Sequence, residues 1–291
     1  MRFAKYHGTG NDFVMLEDLE DSLHLEQAVI AAACDRRFGI GADGLIRVAP
    51  ADGADFFMDY YNAGGEVAEM CGNGIRCLAK LVYDRGMTRR RELDVLTRAG
   101  VKHLVIEAED GVARRVTVDM GVPALERKAI PMTGDPADTF VGQPLQVGER
   151  TLIATAVSMG NPHCVIFLEP GEDLSTLDVP GLGIEVEHRP EFPNRTNVEF
   201  VLMEGSRIRL RVWERGSGET MACGTGACAA LVASCLEGRT GREAEVEFPG
   251  GVLNVGWGQD DHLSLTGPAV CVYEGELDDA WLAGIAAGVP R

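Results

Sequence analysis

The feature that most constrains this chain of 291 residues is an internal repeat with a period of about 150 residues. The tetrad CGNG at 71–74 aligns with CGTG at 223–226, and an apolar stretch typical of a helix follows each, at 75–84 and 227–237. Because both halves carry the same motif in the same setting, both are expected to form the same structural unit. The sequence therefore predicts a duplicated fold whose halves are related by a pseudo-twofold axis.

Residues upstream of the two tetrads fall into the same register. Ten residues before each cysteine an aromatic residue is followed by a polar one, and each aromatic closes a strand-like run, at 55–61 and 207–213. Farther upstream each half has a Gly-Asn pair, whose asparagine lies 60 or 62 residues before the cysteine. The polar members of these pairs are Asn11 and Asn62 in the first half and Asn161 and Glu214 in the second. Their repetition marks them as candidate site residues.

The fold class follows from what surrounds each tetrad. Short alternating segments separated by turn residues follow both helices and are typical of antiparallel hairpins. We expect an α+β fold of two strand-rich, barrel-like domains, each wrapped around a central helix, with the active site in the cleft between them. A region rich in proline and glycine predicts domains at 1–130 and 131–270, with 270–291 as a candidate addition to the first. Two further helices are predicted, at 25–34 and 277–287.

Composition excludes several classes of protein. Lysine and arginine total 27 against 45 acidic residues, and the resulting net charge of −18 argues against nucleic-acid binding. No apolar run approaches the roughly 20 residues of a membrane span, so a cytoplasmic protein is expected. The eight cysteines show neither a CxxC pair nor zinc-ligand spacing. Free thiols are therefore expected, and no metal.

Cys71 and Cys223 are predicted to lie in glycine-rich turns at helix N-termini. Unpaired first-turn N–H groups stabilise anions at such a place, and the same environment lowers the pKa of a cysteine from its usual value of about 8.5. Buried packing is the alternative interpretation for any free cysteine. The matched polar residues in both halves favour a functional pair here, and packing remains the interpretation for the other six cysteines.

Two activated sulfur atoms on opposite sides of one α-carbon would invert it. One thiolate removes the α-proton while the opposing thiol donates a proton to the other face. Helix-terminal N–H groups would hold the α-carboxylate and stabilise the developing negative charge, so no cofactor is required. The expected donors are the N–H groups of Gly72, Asn73, Gly224 and Thr225.

At these residues the chain resembles the diaminopimelate epimerase family. The matching motifs are HGTGNDF at 7–13, GIGADG at 39–44, NAGGE at 62–66, CGNGIRC at 71–77, MGNPH at 159–163, RTNV at 195–198, ERGSGET at 214–220 and ACGTGAC at 222–228. Together they span roughly residues 1–270. Where some members of the family have a glutamine after the aspartate of GxGxD, this chain has Gly44, so a contact from that position is not expected.

The resemblance implies a function and a set of roles. LL-2,6-diaminopimelate and its meso isomer would be interconverted, for lysine and peptidoglycan precursors, by a homodimer in which Cys71 and Cys223 are the acid/base pair. His163 and Glu214 would tune the pKa values of the cysteines. Arg215 and Glu214 suit the distal carboxylate and ammonium of the substrate. The residues that would grip this distal end are Asn11, Asn62, Asn161, Asn197, Glu214 and Arg215.

Two alternative functions stay open. A proline-racemase-like enzyme uses the same pair of thiols on a monoamino acid, but the polar residues for a distal end would then have no purpose. A thiol redox protein that uses Cys71 and Cys223 belongs to a different class. A phosphate-binding loop is not indicated, because GxxxxGK[ST] is absent.

Overall fold

The computed structural model describes residues 1–169 and 171–287, and this part of the chain forms 17 strands and five helices. It divides into two compact units, of which the first comprises Met1–Val118 with the chain from Gly267 onward and the second Asp119–Thr266. The last four residues of the predicted C-terminal addition, 288–291, lie outside the described residues.

The first unit alternates strands with two helices. In chain order its elements are β1 (Arg2–Gly8), β2 (Asn11–Glu17), α1 (Gln27–Cys34), β3 (Gly44–Ala49), β4 (Phe56–Asn62), α2 (Gly72–Asp84), β5 (Glu92–Thr97), β6 (Gly100–Glu109) and β7 (Val112–Gly121), whose last three residues belong to the second unit.

The second unit repeats this order with one extra strand at its start and a short one before its central helix. Its elements are β8 (Gln143–Val147), β9 (Arg150–Ser158), β10 (Pro162–Phe167), α3 (Val179–Glu187), β11 (Asn197–Glu204), β12 (Arg207–Glu214), β13 (Gly218–Thr220), α4 (Gly224–Leu236), β14 (Glu243–Phe248), β15 (Gly251–Trp257) and β16 (Leu263–Gly267). The C-terminal elements are β17 (Val270–Glu276) and α5 (Asp279–Ala286).

The strand pairings show the duplication directly. In the first unit the series β17-β1-β2-β3-β4-β5-β6-β7 is antiparallel except at β2–β3 and β4–β5. In the second unit the series β8-β9-β10-β11-β12-β14-β15-β16 is antiparallel except at β10–β11 and β12–β14. The two patterns are the same, and the C-terminal strand β17 occupies the place that β8 occupies in the second unit. The predicted duplicated α+β fold is therefore confirmed.

The registers define which residues are equivalent. In the first unit Phe13 pairs with Gly44 across β2 and β3, and in the second His163 pairs with Asn197 across β10 and β11. Two residues farther along, Ile46 in β3 is equivalent to Glu199 in β11. At these two equivalent positions the first unit has apolar residues, Phe13 and Ile46, whereas the second unit has ionisable residues, His163 and Glu199.

A buried helix forms the centre of each unit. Helix α2 contacts β1, β2, β3, β6 and β17, whereas α4 contacts β9, β10, β11, β12, β14 and β15. Side chains such as Leu78 in α2 and Leu231 in α4 are fully buried, and each such burial stabilises the fold by roughly 1.5–3 kcal/mol. The strands therefore pack around the two helices that follow the CGxG tetrads.

Glycine lets both helices begin close to the strands. A Cβ at position 74 would lie 2.6 Å from Cδ1 of Ile46, and one at position 226 would lie 2.7 Å from Oε1 of Glu199. These distances leave no room for a side chain, so the second glycine of each tetrad fixes the depth at which the first helical turn is buried.

The other predicted helices are observed as α1 and α5, each starting two residues later than expected. Helix α3 was not predicted, because its sequence VPGLGIEVE contains one proline and two glycines. It is stabilised at its start by the Asp178 side chain, which accepts a hydrogen bond from the N–H of Gly181 at 3.0 Å. None of the helices in residues 1–169 and 171–287 has the length and apolar character needed to cross a membrane.

Candidate functional site

Cys71 is the N-cap residue of α2. Its backbone is extended (φ −140°, ψ 119°), and its sulfur accepts a hydrogen bond from the N–H of Gly74 at 3.4 Å. The same sulfur lies 3.5 Å from Oδ1 of Asn11. Since the first-turn N–H groups of a helix favour negative charge, a thiolate at this position is stabilised by the helix itself.

The amide of Asn11 is oriented by a carboxylate. Its Nδ2 donates to Oδ2 of Asp43 at 2.7 Å, and its Oδ1 accepts from Nδ2 of Asn73 at 3.3 Å. An ionised carboxylate can only accept hydrogen bonds, so Asp43 holds the Asn11 oxygen towards Cys71. Arg36 in turn donates to both Asp43 and Asp12, at 2.7 Å to each.

Arg76 braces the first turn of α2 from within the fold. It is fully buried, and its guanidinium donates to the carbonyl of Gly72 and to Oδ1 of Asn73, each at 3.0 Å. A third donor of the guanidinium lies 3.4 Å from Oγ1 of Thr9, which occupies the turn between β1 and β2. Both the oxygen and the nitrogen of the Asn73 side-chain amide are therefore hydrogen-bonded, and this fixes the orientation of the side chain in the site.

Asn62 and Gly44 lie opposite each other at the ends of β4 and β3. The side chain of Asn62 is exposed, as a residue that reaches a ligand needs to be. A Cβ at position 44 would lie 2.5 Å from the carbonyl oxygen of Tyr61 and 2.8 Å from the ring of Tyr60. The local backbone is fitted to glycine, which explains how the chain accommodates this departure from the family pattern.

Cys223 is the N-cap residue of α4, with the same extended backbone as Cys71 (φ −127°, ψ 118°). Unlike Cys71 it is 5% exposed, and its thiol is hydrogen-bonded to the carboxylate of Glu214. Its sulfur also lies 3.4 Å from Oγ1 of Thr225. The two equivalent cysteines therefore have different environments.

The pKa of Cys223 differs from the sequence-based expectation. Burial raises the pKa of this thiol well above its usual value, and the carboxylates of Glu214 and Glu199 raise it further. These effects outweigh the helix N-terminus and the hydrogen bond to Thr225. The prediction that the helix terminus lowers the pKa is thus wrong for Cys223, because it did not include desolvation and two nearby carboxylates.

Glu214 has a raised pKa for a related reason. Burial raises the pKa of its carboxyl group, against the hydrogen bonds from Thr220 and Cys223 that lower it. The Thr220 hydroxyl donates to Oε1 of Glu214 at 2.5 Å. A carboxyl group with a raised pKa beside a thiol can take up or release a proton as that thiol titrates.

A chain of hydrogen bonds links Cys223 to a buried imidazole. Thr225 accepts from Nδ2 of Asn161 at 3.3 Å, and Oδ1 of Asn161 lies 3.0 Å from Nε2 of His163. Nδ1 of His163 lies 2.7 Å from Oε1 of Glu199, and both residues are fully buried. His163 and Asn161 therefore reach Cys223 through the Thr225 hydroxyl.

Asn197 and Arg215 are joined through the backbone. The Asn197 side chain donates to the carbonyl of Pro162 at 2.8 Å and accepts from the N–H of Arg215 at 2.9 Å. Asn197 is buried, and both the nitrogen and the oxygen of its side-chain amide are hydrogen-bonded, so it supports the segment that carries Arg215. The Arg215 side chain is exposed, and one of its nitrogens donates to the carbonyl of Asn194 at 3.2 Å.

Sequence reasoning missed four residues that support the cysteines. Asp12, Asp43 and Arg76 belong to the quoted motifs but have no predicted role, and Glu199 lies just beyond the RTNV motif. A charged residue that is buried looks the same in a sequence as one that is exposed. The available signal was the duplication itself, since Glu199 aligns with the apolar Ile46.

No group of three or more His, Cys, Asp or Glu side chains in the described part of the chain is arranged to hold a metal ion. The donors that surround the cysteines are amides, hydroxyls and carboxyl groups, a set suited to binding a small polar molecule. The fold and these side chains define a class of protein: a duplicated α+β chain with one cysteine at the first turn of each central helix.

Comparison with known proteins identifies the family within this class. The sequence profile of the diaminopimelate epimerase family matches residues 3–126 and 155–272. The chain is 47% identical over 279 residues to the diaminopimelate epimerase of Pelotomaculum thermopropionicum, covering 95% of this chain and 98% of that one. It is 50% identical over 284 residues to that of Synechococcus sp. (strain JA-3-3Ab), covering 94% and 97%. The chain belongs to the diaminopimelate epimerase family.

The same fold occurs in more distant proteins of known structure. A hydroxyproline epimerase from Agrobacterium vitis, solved with bound trans-4-hydroxy-L-proline, superposes with a TM-score of 0.68 at 15% identity, covering 95% of this chain and 90% of that one. At this identity the likeness concerns the fold alone.

Proposed function

We propose that this chain interconverts LL-2,6-diaminopimelate and meso-diaminopimelate without a cofactor, as a step towards lysine and peptidoglycan precursors. The observation that carries the proposal is membership of the diaminopimelate epimerase family over nearly the whole chain, with a cysteine at the first turn of each central helix.

Cys71 and Cys223 are the proposed acid/base pair. One sulfur removes the α-proton as a thiolate, and the other donates a proton to the opposite face of the same α-carbon. The two cysteines differ in burial and in neighbouring charge, since Cys223 is buried beside the carboxylates of Glu214 and Glu199 whereas Cys71 is partly exposed. After one turnover the first sulfur carries the proton taken from the substrate and the second, having given up its own, is a thiolate, so the reverse direction uses the opposite pairing.

The N–H groups of the two first helical turns are the proposed carboxylate site. The donors are those of Gly72 and Asn73 in the first unit and of Gly224 and Thr225 in the second. Backbone N–H groups at a helix N-terminus bind a carboxylate and stabilise the negative charge that develops as the α-proton leaves. This charge stabilisation is the role that a cofactor would otherwise perform.

The distal amino-acid end supports diaminopimelate as the substrate. The exposed guanidinium of Arg215 is suited to a carboxylate, and Glu214 to an ammonium group. The amides of Asn11, Asn62, Asn161 and Asn197 complete the proposed set. A monoamino acid such as proline has no second zwitterion to use these groups.

We further propose a cytoplasmic homodimer. Strand β17 ends the strand series of the first unit and carries three exposed apolar side chains, Val270, Val272 and Tyr273. Apolar groups on an outer strand are suited to an interface between copies of one chain. Sedimentation analysis should give twice the mass of 31.3 kDa; a monomer at micromolar concentration would contradict this part of the proposal.

Hydrogen exchange at the α-carbon tests the reaction and the substrate together. The enzyme is incubated in D₂O with LL-diaminopimelate and, separately, with L-proline, and deuterium at the α-carbon is followed by mass spectrometry. Exchange and formation of the meso isomer are expected with diaminopimelate only. Exchange with proline alone would replace the substrate proposed here with that of a proline-racemase-like enzyme.

A further inference from the structure

We propose that Glu199 is a positioning residue for Cys223, a role that rests on the proposed function of Cys223 as an acid/base group. Glu199 acts through a chain of hydrogen bonds with a fixed direction. The members of this chain, called here the Glu199 relay, are Glu199, His163, Asn161, Thr225 and Cys223.

The relay begins at the buried carboxyl group. Oε1 of Glu199 lies 2.7 Å from Nδ1 of His163, and neither side chain is exposed. Oδ1 of Asn161, which can only accept, lies 3.0 Å from Nε2 of His163, so Nε2 carries a hydrogen and donates it to Asn161. The other ring nitrogen, Nδ1, faces Glu199, which holds the imidazole in the orientation that keeps Nε2 on the Asn161 oxygen.

The orientation of the Asn161 amide determines whether the Thr225 hydroxyl accepts or donates a hydrogen bond at Asn161. With its oxygen on His163, its Nδ2 donates to Oγ1 of Thr225 at 3.3 Å. A hydroxyl has one hydrogen, and because Oγ1 already accepts from Asn161, that hydrogen is directed to the sulfur of Cys223, 3.4 Å away. Glu199 thereby sets Thr225 as a donor to the sulfur whenever Cys223 is a thiolate.

The first unit shows that this carboxylate is not needed by the fold. Ile46 occupies the position equivalent to Glu199, and Phe13 the position equivalent to His163. The equivalent amide there is reversed, because Asn11 turns its oxygen, not its nitrogen, towards Cys71 and Asn73. The same arrangement of strands thus accommodates two apolar residues in the first unit. The ionisable pair in the second unit therefore has a role other than packing.

The placement of Glu199 also indicates a role beyond stability. Its Oε1 lies 2.7 Å from where a Cβ at position 226 would be, directly against the first turn of α4. Its second oxygen, Oε2, is buried and has no hydrogen-bond partner among the described residues. A buried carboxyl oxygen without a partner costs stability. Glu214 also faces Cys223, and the relay does not involve it.

Two substitutions of Glu199 separate the effect of its charge from its effect on the direction of the hydrogen bonds in the relay. Glu199→Gln removes the charge, keeps the shape and still offers a group that holds Nδ1 of His163. Glu199→Ile removes the charge as well, but leaves His163 without this partner, and the first unit already contains isoleucine at the equivalent position. Alkylation of Cys223 by iodoacetamide is followed as a function of pH by peptide mass spectrometry, with Cys71 read in the same samples.

Cys223 in Glu199→Ile should react roughly tenfold more slowly than in Glu199→Gln at the same pH, since its thiolate loses a hydrogen bond that the glutamine variant retains. The reactivity of Cys71 should be the same in both. Equal rates at Cys223 in the two variants would overturn the proposal, because the change of charge is common to them.

The matched control is Glu237→Gln at the other end of α4. Glu237 accepts a hydrogen bond from the Thr155 hydroxyl at 2.6 Å, so it is also a hydrogen-bonded carboxylate of the second unit. It lies at the C-terminal end of α4, whereas Cys223 and Thr225 lie at the N-terminal end. Its replacement should leave the alkylation of Cys223 unchanged. A slowing equal to that of Glu199→Ile would assign the effect to general loosening of the unit and overturn the proposal.

A measurement on the unmodified chain covers the case in which Glu199→Ile does not fold. Nitrogen-15 NMR of labelled histidine, with the His163 signal assigned from its loss in His163→Gln, reports whether Nε2 is protonated. A protonated Nε2 is expected, and an unprotonated Nε2 would overturn the relay. Neither experiment needs a substrate, so failure of the relay and failure of the proposed epimerisation give separate results.

Discussion

Nδ2 of Asn11 donates to Oδ2 of Asp43 at 2.7 Å, and this hydrogen bond turns the Asn11 oxygen towards Cys71. The contact connects the start of β2, the ion pairs of Arg36 with Asp12 and Asp43, and the first turn of α2. Asp43 is half-exposed, so it can be replaced without opening the core.

Replacing Asp43 with alanine should slow epimerisation. Without the carboxylate the Asn11 amide can turn over, which places N–H groups against the N–H donors of Asn73. We expect a loss of roughly 10- to 100-fold in kcat, the scale of a displaced catalytic group, with the melting temperature little changed. Asp55→Ala, which breaks an ion pair with Arg90 in the same unit, is the control. Unchanged kcat in Asp43→Ala would refute this role.

Much of the fold follows from the repeated motif. The strand-like runs at 55–61 and 207–213 are observed as β4 and β12, and the helices after the two cysteines as α2 and α4. These elements are predictable because their signal is local: apolar periodicity and glycines at a helix start. The equivalence of β17 and β8 was not predictable, since it depends on which distant strands pair.

The site could be predicted less completely than the fold. The cysteines and the exposed polar residues follow from repeated motifs, but the groups that orient them do not. Glu199 becomes informative only when the β10–β11 register sets it beside His163. The raised pKa of Cys223 likewise depends on burial and on two carboxylates that are distant in sequence.

Replacing Gly226 with alanine should destabilise the second unit. The added Cβ would lie 2.7 Å from Oε1 of Glu199, which is itself held by His163. Overpacking of this kind typically costs about 1–3 kcal/mol in the free energy of unfolding, measurable by urea titration. Gly241→Ala adds a Cβ that meets nothing within 4 Å and is the control. Equal stability of the two variants would contradict the close packing described here.

Acid should weaken the first unit through Asp12. Burial alone would raise the pKa of this carboxyl group, but hydrogen bonds from Arg36 and Lys5 lower it from 3.8 to about 2. A pKa that is lower in the folded state than in the unfolded state stabilises the protein at any pH above the unfolded-state pKa. This stabilisation is lost as the pH falls from about 4 to 2. The contribution is roughly 2 kcal/mol, so Asp12→Asn should show a smaller fall in unfolding free energy over this range.

The control for that measurement is Asp52→Asn, at an exposed position in the same unit. Its acid dependence should follow that of the unmodified chain. If Asp12→Asn loses as much stability between pH 4 and pH 2 as the unmodified chain, the network around Asp12 does not have the effect assigned to it.

The central claim is that two sulfur atoms share one α-carbon. It is tested most directly by measuring the conversion of LL-diaminopimelate to the meso isomer by Cys71→Ala and Cys223→Ala, each checked for folding by circular dichroism. Each single substitution should lower kcat by at least about 100-fold, because each removes one of the two acid/base groups. Near-normal turnover by either folded variant would contradict the account.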